Sequence, residues 1–219
     1  MKRKGLLCAI LALILLLSAQ PAAAANTGNK RTTVITATKC RLPVIRVAVP
    51  TTGSVYINPL KVPVYIGDLE SDEQIISPPV SIANMSDVPL KVDVAVTGAI
   101  KAGSTMSLVT SPTGGSGTNK SAFVYFDIKQ SNSEDPESVE WDPAYDASKH
   151  IAVVAGVPIT KNDVFTLPAM TLDGEIAEGG YAPFRLSGDA VKKPTDAWNS
   201  KDGIYVTVAF TFTPVPYTS

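Results

Sequence analysis

The chain has 219 residues, of which 45% are hydrophobic, and its 19 basic and 20 acidic residues give a formal net charge of −1. This length suits one large domain or, less well, two small ones. It is sufficient to bury a hydrophobic core without stabilising disulfide bonds. The balanced charge leaves no basic patch for a phosphate backbone, so the sequence predicts no nucleic-acid partner.

The first 25 residues have the layout of a secretory signal peptide. Lys2, Arg3 and Lys4 give a basic start, an apolar run follows, and small residues up to Ala25 offer a cleavage site. An uncleaved membrane anchor is the alternative, but the run of about 15 apolar residues is shorter than the ~20 that a spanning helix needs. We predict cleavage after Ala25, a secreted or cell-surface location, and no membrane span in the remaining chain.

Residues 26–42 form an N-terminal segment that begins polar and becomes β-rich at 32–38 before Pro43. Removal of residues 1–25 would leave 16 basic and 20 acidic residues, a net charge of −4, and Cys40 as the one remaining cysteine. An intramolecular disulfide is then excluded. Cys40 is either a small side chain within a sheet or a thiol that pairs between chains, and its basic neighbours Lys39 and Arg41 favour the reactive thiolate.

Short strand-like segments separated by Gly, Pro, Asn, Asp and Ser fill residues 43–219. We expect about ten strands in a single antiparallel β-sandwich domain, jelly-roll or immunoglobulin-like, because no segment keeps a helical period. One turn within 143–150 is the best helical candidate. The predicted strands are 43–49, 61–67, 73–82, 88–97, 104–110, 121–129, 150–156, 163–170, 181–187 and 203–215.

The stretch SIANMSDVPLKVDVAV, residues 81–96, shows the clearest alternation in the chain. Its apolar residues Val88, Leu90, Val92, Val94 and Val96 share one face of the predicted strand. Residues 84–87 contain Asn, Ser and Asp, which are typical of turns. The stretch therefore predicts two strands joined by a tight turn, either as a hairpin or as a crossover between two layers. We expect its role to be structural.

Residues that carry catalytic or metal-binding chemistry are scarce. His150 is the only histidine, which excludes zinc motifs built on two histidines, and no nucleophile elbow accompanies it. The acidic stretch 130–148 lacks the spacing of a calcium loop. It is either a solvated loop, an irregular Ca²⁺ site, or the source of a hydrolase carboxylate pair. We predict a non-enzymatic protein with no catalytic, cofactor-binding or metal residues and no cofactor.

Two aromatic residues within the acidic stretch form a candidate glycan platform. Trp141 and Tyr145 stand beside carboxylates, as aromatic residues do in sugar-binding sandwiches, although Trp141 could instead cap an open end of the core. This platform supports the alternative function, a secreted module that binds glycans or surfaces in the manner of an adhesin.

The stretch IISPPVSIANMSDVPLKVDVAV and the ending WNSKDGIYVTVAFTFTPV resemble the camelysin/TasA-like matrix and fibre proteins, which are secreted β-sandwich proteins of Gram-positive bacteria. The resemblance implies self-association, or association with other surface proteins, in which an N-terminal strand joins a neighbour's sheet. In this chain the implied assembly strand lies within 26–42, which is otherwise the first strand of its own domain. Its candidate residues are Thr33, Val34, Ile35, Thr36, Ala37 and Cys40.

Overall fold

A computed structural model describes residues 44–67 and 69–215. The predicted signal peptide, the segment 26–42 with Cys40, and the last four residues lie outside this described part. Within it the chain forms thirteen strands and one short 3-10 helix, Pro136–Ser138. The strands are β1 Val47–Ala48, β2 Tyr56–Ile57, β3 Val64–Ile66, β4 Leu69–Ser71, β5 Ile75–Ile76, β6 Val80–Asn84, β7 Leu90–Ile100, β8 Ser107–Val109, β9 Ser121–Ile128, β10 Ile151–Ala152, β11 Ile159–Leu167, β12 Tyr181–Ala190 and β13 Ile204–Pro214.

Two sheets make up the body of the fold. The larger has six strands in the order β1-β6-β12-β9-β10, with β8 also paired to β9, and the smaller has the order β11-β7-β13. All of these pairings are antiparallel except β8 with β9. Two short pairs, β2-β5 and β3-β4, complete the described strands. The all-β sandwich predicted from the sequence is confirmed, although it contains more strands than expected because several are only two or three residues long.

The core lies between the two sheets and follows the alternation of their longest strands. On β7, Leu90, Val92, Val94 and Val96 are fully buried, as the period of two predicts. Val92, Val94 and Val96 meet Ala122, Val124 and Phe126 of β9 in one apolar cluster. Burying each such Val, Leu or Phe contributes about 1.5–3 kcal/mol, so these two strands supply a large part of the driving force for folding.

The turn at 84–88 connects the two sheets, because β6 belongs to the larger sheet and β7 to the smaller. Asn84 is buried; its side-chain amide donates to the Val88, Leu167 and Pro168 carbonyls, and its oxygen accepts from the Ser86 amide. Of the two arrangements that the sequence allows, a crossover between layers is therefore the observed one. The polar residues hold the turn, since each buried polar group has a partner.

Two local expectations are met only in part. Of the strand predicted over 43–49, only Val47–Ala48 pairs, at the edge of the larger sheet, and Ile45 and Val49 are exposed. In 143–150, where the sequence predicts one helical turn, the Lys149 and His150 amides both donate to the Asp146 carbonyl and close a single turn that does not extend into a helix, whereas Pro136–Ser138 forms the 3-10 helix. There Asp135 caps the first turn by accepting from the Glu137 amide, a local contact that the strand-oriented pattern does not predict.

No helix in residues 44–67 and 69–215 has the length and apolar character needed to cross a bilayer.

Candidate functional site

The last strand, β13, is an edge strand of unusual length. It pairs with β7 through Ile204–Pro214, and within the described part of the chain no other strand pairs with it. Its side chains alternate: Tyr205, Thr207 and Ala209 are exposed, whereas Val206 and Val208 are half-buried against the core. An eleven-residue edge with which no further described strand pairs is a template for pairing with another strand.

A groove lies beside this edge, between the two sheets, and we call it the edge groove. Its volume is about 520 Å³, and the side chains of β13 and β12 form its apolar floor. The remaining wall comes from residues 50–56 and 77–80. Its apolar lining residues are Val55, Val80, Phe184, Leu186, Ile204, Val206, Val208 and Phe210.

Aromatic rings connect the edge groove to the core. Phe184 of β12 lies 5.4 Å from Phe126 and 5.3 Å from Phe210 between ring centroids. Phe126 is fully buried, but Phe184 and Phe210 are only half-buried. The apolar layer of the sandwich therefore continues to the surface along β13, which is the property expected of a site that another apolar segment covers.

A second group of functional candidates lies on the opposite face of the larger sheet. The outward side chains of β9 are Phe123, Tyr125 and Asp127, and all three are buried. Tyr145 of the acidic stretch and His150, which follows that stretch, cover them: Tyr145 packs edge-on against Phe123 at 4.8 Å, and His150 stacks on Tyr125 at 4.7 Å. The nearly unbroken apolar run SAFVYFDI is typical of a strand buried on both faces, and this signal in the sequence could have identified the second buried face.

The two predicted platform residues lie in different surroundings. The ring of Trp141 is half-buried, with the Arg185 guanidinium 5.0 Å and the Lys129 ammonium 6.0 Å from its centroid. This is the geometry of a cation–π contact. Tyr145 instead belongs to the ring cluster with Phe123, Tyr125 and His150. The Arg185 and Lys129 cations would therefore compete with any sugar for the Trp141 ring. Tyr145, in contrast, lines a cleft on the outward face of the larger sheet.

His150 is buried, and its ring orientation follows from its contacts. Its Nδ1 accepts a hydrogen bond of 2.9 Å from the Asp146 amide, so the proton of the neutral ring lies on Nε2. Nε2 faces two carboxylates, Asp127 Oδ1 at 3.6 Å and Asp142 Oδ2 at 3.5 Å. Neither contact is a hydrogen bond, and His150 Nε2, Asp127 Oδ2 and Arg185 Nε are the buried side-chain atoms without a hydrogen-bond partner among the described residues.

The carboxylates of this region ionise differently. Burial raises the pKa of Asp127, although His150, Lys129 and Arg185 act in the opposite direction. The hydrogen bond from Lys129 lowers the pKa of Asp142, and bonds from the Ser148 hydroxyl and amide lower that of Asp146. Asp135, Asp142 and Asp146, three of the six acidic residues of 130–148, thus hold local structure. In the described part of the chain, no three His, Cys, Asp or Glu side chains converge as metal ligands.

A second buried ion pair lies elsewhere in the sandwich. The Lys120 ammonium is 3.0 Å from Asp202 Oδ2, and the two side chains are only 4% and 2% exposed. Asp202 also accepts from the Asn199 and Thr105 amides and the Ser104 hydroxyl. Burial alone would raise the pKa of Asp202, but the Asn199, Lys120 and Thr105 hydrogen bonds lower it. Sequence reasoning did not find this pair, since its members are 82 positions apart.

Comparison of the chain with family models, with curated proteins and with solved structures finds no match.

Proposed function

We propose that the chain is a secreted, non-enzymatic structural protein of a Gram-positive cell surface or extracellular matrix, and that its copies join by strand exchange. The observation that carries the proposal is the edge of β13 with the apolar edge groove beside it. A long apolar edge invites uncontrolled aggregation unless a strand covers it. A protein that keeps such an edge is suited to controlled assembly by β-augmentation.

The occupant that we propose for the edge groove is residues 32–38 of a second copy. This segment is β-rich, and its alternating residues place Val34 and Ile35 on opposite faces, so either orientation offers one branched apolar side chain. The 17 residues of 26–42 precede the described domain. Fully extended they span roughly 55–60 Å, which is sufficient to reach a neighbouring sandwich. Cys40 would then lie close to the junction, where two thiols could lock the contact.

The first experiment compares a chain that begins at Asn26 with one that begins at Pro43, by negative-stain electron microscopy and size-exclusion chromatography. We expect filaments or larger species from the longer chain and monomers from the shorter one. Two well-folded monomers would contradict the proposal. Gel analysis without reductant shows in the same samples whether Cys40 links copies.

A second experiment tests the groove without changing the folded protein. A fluorescent peptide of residues 31–39 is titrated into the chain that begins at Pro43, and its anisotropy is measured. The matched control peptide carries Val34→Asp and Ile35→Asp, so that a charge enters the groove in either orientation. We expect binding of the first peptide only. Equal binding of both peptides, or of neither, argues against residues 32–38 as the occupant.

A further inference from the structure

A cleft on the outward face of the larger sheet is separate from the edge groove, and we call it the outer cleft. Its volume is about 480 Å³, within the ~300–1,000 Å³ of typical small-molecule sites. Tyr125 of β9 and Ser187 of β12, which are paired residues in the sheet, form its floor. Residues 112–114, 143–145 and 73–74 contribute to its walls.

The aromatic wall of the outer cleft is held in one orientation. The ring of Tyr145 packs at 81° and 4.8 Å against Phe123, and it lies 5.3 Å from Tyr125. His150 stacks behind Tyr125 at 4.7 Å, and its own position is fixed by the Asp146 amide. Of the three aromatic residues in the lining, Tyr145 is the half-buried one, and the other two are buried. A ring that its neighbours already orient loses little entropy when a ligand stacks on it.

The polar groups of the outer cleft offer both donors and acceptors. Ser187 and Tyr125 contribute hydroxyls, Glu73 contributes a carboxylate, and Lys61 and Lys192 contribute ammonium groups. The charges of both signs are distributed around one small space, so the lining does not select a strongly anionic or cationic ligand.

The Asp189 carboxylate, which also lines the outer cleft, has a structural role. It accepts from the Thr113 amide and hydroxyl at 2.9 and 2.8 Å and from the Gly114 amide at 3.0 Å. These bonds fix the loop that closes one end of the cleft, so the cavity is built before any ligand arrives.

From this arrangement we infer that the outer cleft binds a carbohydrate, with Tyr145 stacked on a sugar ring and the Ser187 and Tyr125 hydroxyls bonded to its hydroxyl groups. A sugar presents hydroxyls that both donate and accept, together with an apolar ring face, and the lining offers a counterpart to each. Trp141 takes no part, because cations already face its ring. The inference is independent of strand exchange, since the outer cleft and the edge groove share no residue.

The test is a glycan array printed with oligosaccharides of bacterial and animal surfaces, chitotetraose and cellotetraose among them, followed by calorimetry with the strongest array ligand. Tyr145→Ala and Ser187→Ala are compared with Tyr205→Ala, which removes an exposed tyrosine from β13 on the other sheet. Ser187→Ala removes a single hydroxyl, so it tests the site even if Tyr145→Ala disturbs the ring cluster.

We expect the Tyr145 variant to bind about tenfold more weakly, the Ser187 variant severalfold more weakly, and the Tyr205 variant to bind as the parent does. Failure of the parent to bind any printed glycan would overturn the inference. Unchanged affinity in both cleft variants would do so as well.

Discussion

Two pairs of buried ionisable residues in the sandwich differ in how many hydrogen-bond partners their side chains have. Lys120 and Asp202 touch at 3.0 Å, and three further donors complete the shell of the carboxylate. Asp127 and His150 approach to 3.6 Å, and Asp127 Oδ2 and His150 Nε2 have no hydrogen-bond partner among residues 44–67 and 69–215. The side chains of both pairs are almost completely buried, so burial alone does not determine how much an ionised side chain destabilises the fold.

The difference has an energetic meaning. A buried carboxylate with several donors is stabilised as an anion, whereas one with few donors keeps most of its desolvation penalty. The pKa of Asp202 is accordingly lowered and that of Asp127 raised. The Lys120–Asp202 pair therefore stabilises the fold. The Asp127–His150 pair, which lies beside the outer cleft, keeps an uncompensated desolvation penalty.

The largest expected effect is the loss of one member of the satisfied pair. Asp202→Ala leaves the Lys120 ammonium buried without its carboxylate, and we expect a loss of about 3–5 kcal/mol in the free energy of unfolding, measured with urea. The matched control is Asp196→Ala, an exposed aspartate of the same loop, which should change little. The double variant Lys120→Met with Asp202→Leu should recover most of the loss, and a double variant as unstable as Asp202→Ala would contradict this account.

The acid side of the stability profile is the second test. Asp202 has a folded pKa below the ~3.9 of the unfolded chain, so its contribution is complete above pH 4 and is lost as the pH falls through the folded value. Melting temperatures from pH 2 to 7 should therefore fall more steeply below pH 4 in the parent than in Asp202→Asn. Parallel profiles would show that Asp202 does not control this range.

Asp127→Asn should stabilise the protein rather than destabilise it, and by less than Asp202→Ala destabilises it. Because the folded pKa of Asp127 is raised above ~3.9, its ionisation costs stability as the pH rises through that folded value, and the cost remains at neutral pH. We expect the variant to melt roughly 2–4 °C higher at pH 7, about 1 kcal/mol, and to match the parent below pH 4. A lower melting point at pH 7 would mean that attraction to His150, Lys129 and Arg185 outweighs desolvation.

An exposed pair gives the smallest effect. Lys91 and Asp163 lie 3.2 Å apart with side chains 47% and 64% exposed, so solvent screens their attraction. Asp163 has a φ of 50°, a left-handed conformation that asparagine also tolerates, which makes Asp163→Asn a clean removal of the charge. Urea unfolding should not distinguish this variant from the parent. A clear loss would show that short distance, rather than burial, governs these pairs.

The fold was predictable where one face of a strand is buried and the other is not. The alternation of Leu90, Val92 and Val94 appears directly as a buried face of β7, and β13 repeats the pattern. Prediction was poorer for 43–49, because apolar residues there lie at a sheet edge where burial is incomplete. A sequence pattern predicts which face of a strand can be buried, but not whether a neighbouring element covers that face.

The candidate sites were less predictable, for a reason that their residues share. Tyr145 was selected as an exposed aromatic residue, yet its ring is oriented by Phe123 and Tyr125 from a strand 20 or more positions earlier. Likewise, the burial of Asp127 depends on a polar, acidic segment that composition alone describes as solvated. Contacts between distant segments decide both cases, and no local pattern encodes them.

The pairing of β7 has a consequence for the order in which the domain can form. This strand begins at Leu90, but its two partners are Ile159–Leu167 and Ile204–Pro214. A chain that emerges from its N-terminus onward must therefore hold β7 unpaired until Leu167 is available, and must leave the second edge of β7 unpaired until β13 is complete. Such distant pairings slow folding to milliseconds or seconds in two-state domains. Truncation before Ile204 would remove β13 and leave one edge of β7 unpaired, so we expect a clear loss in the free energy of unfolding of the truncated chain.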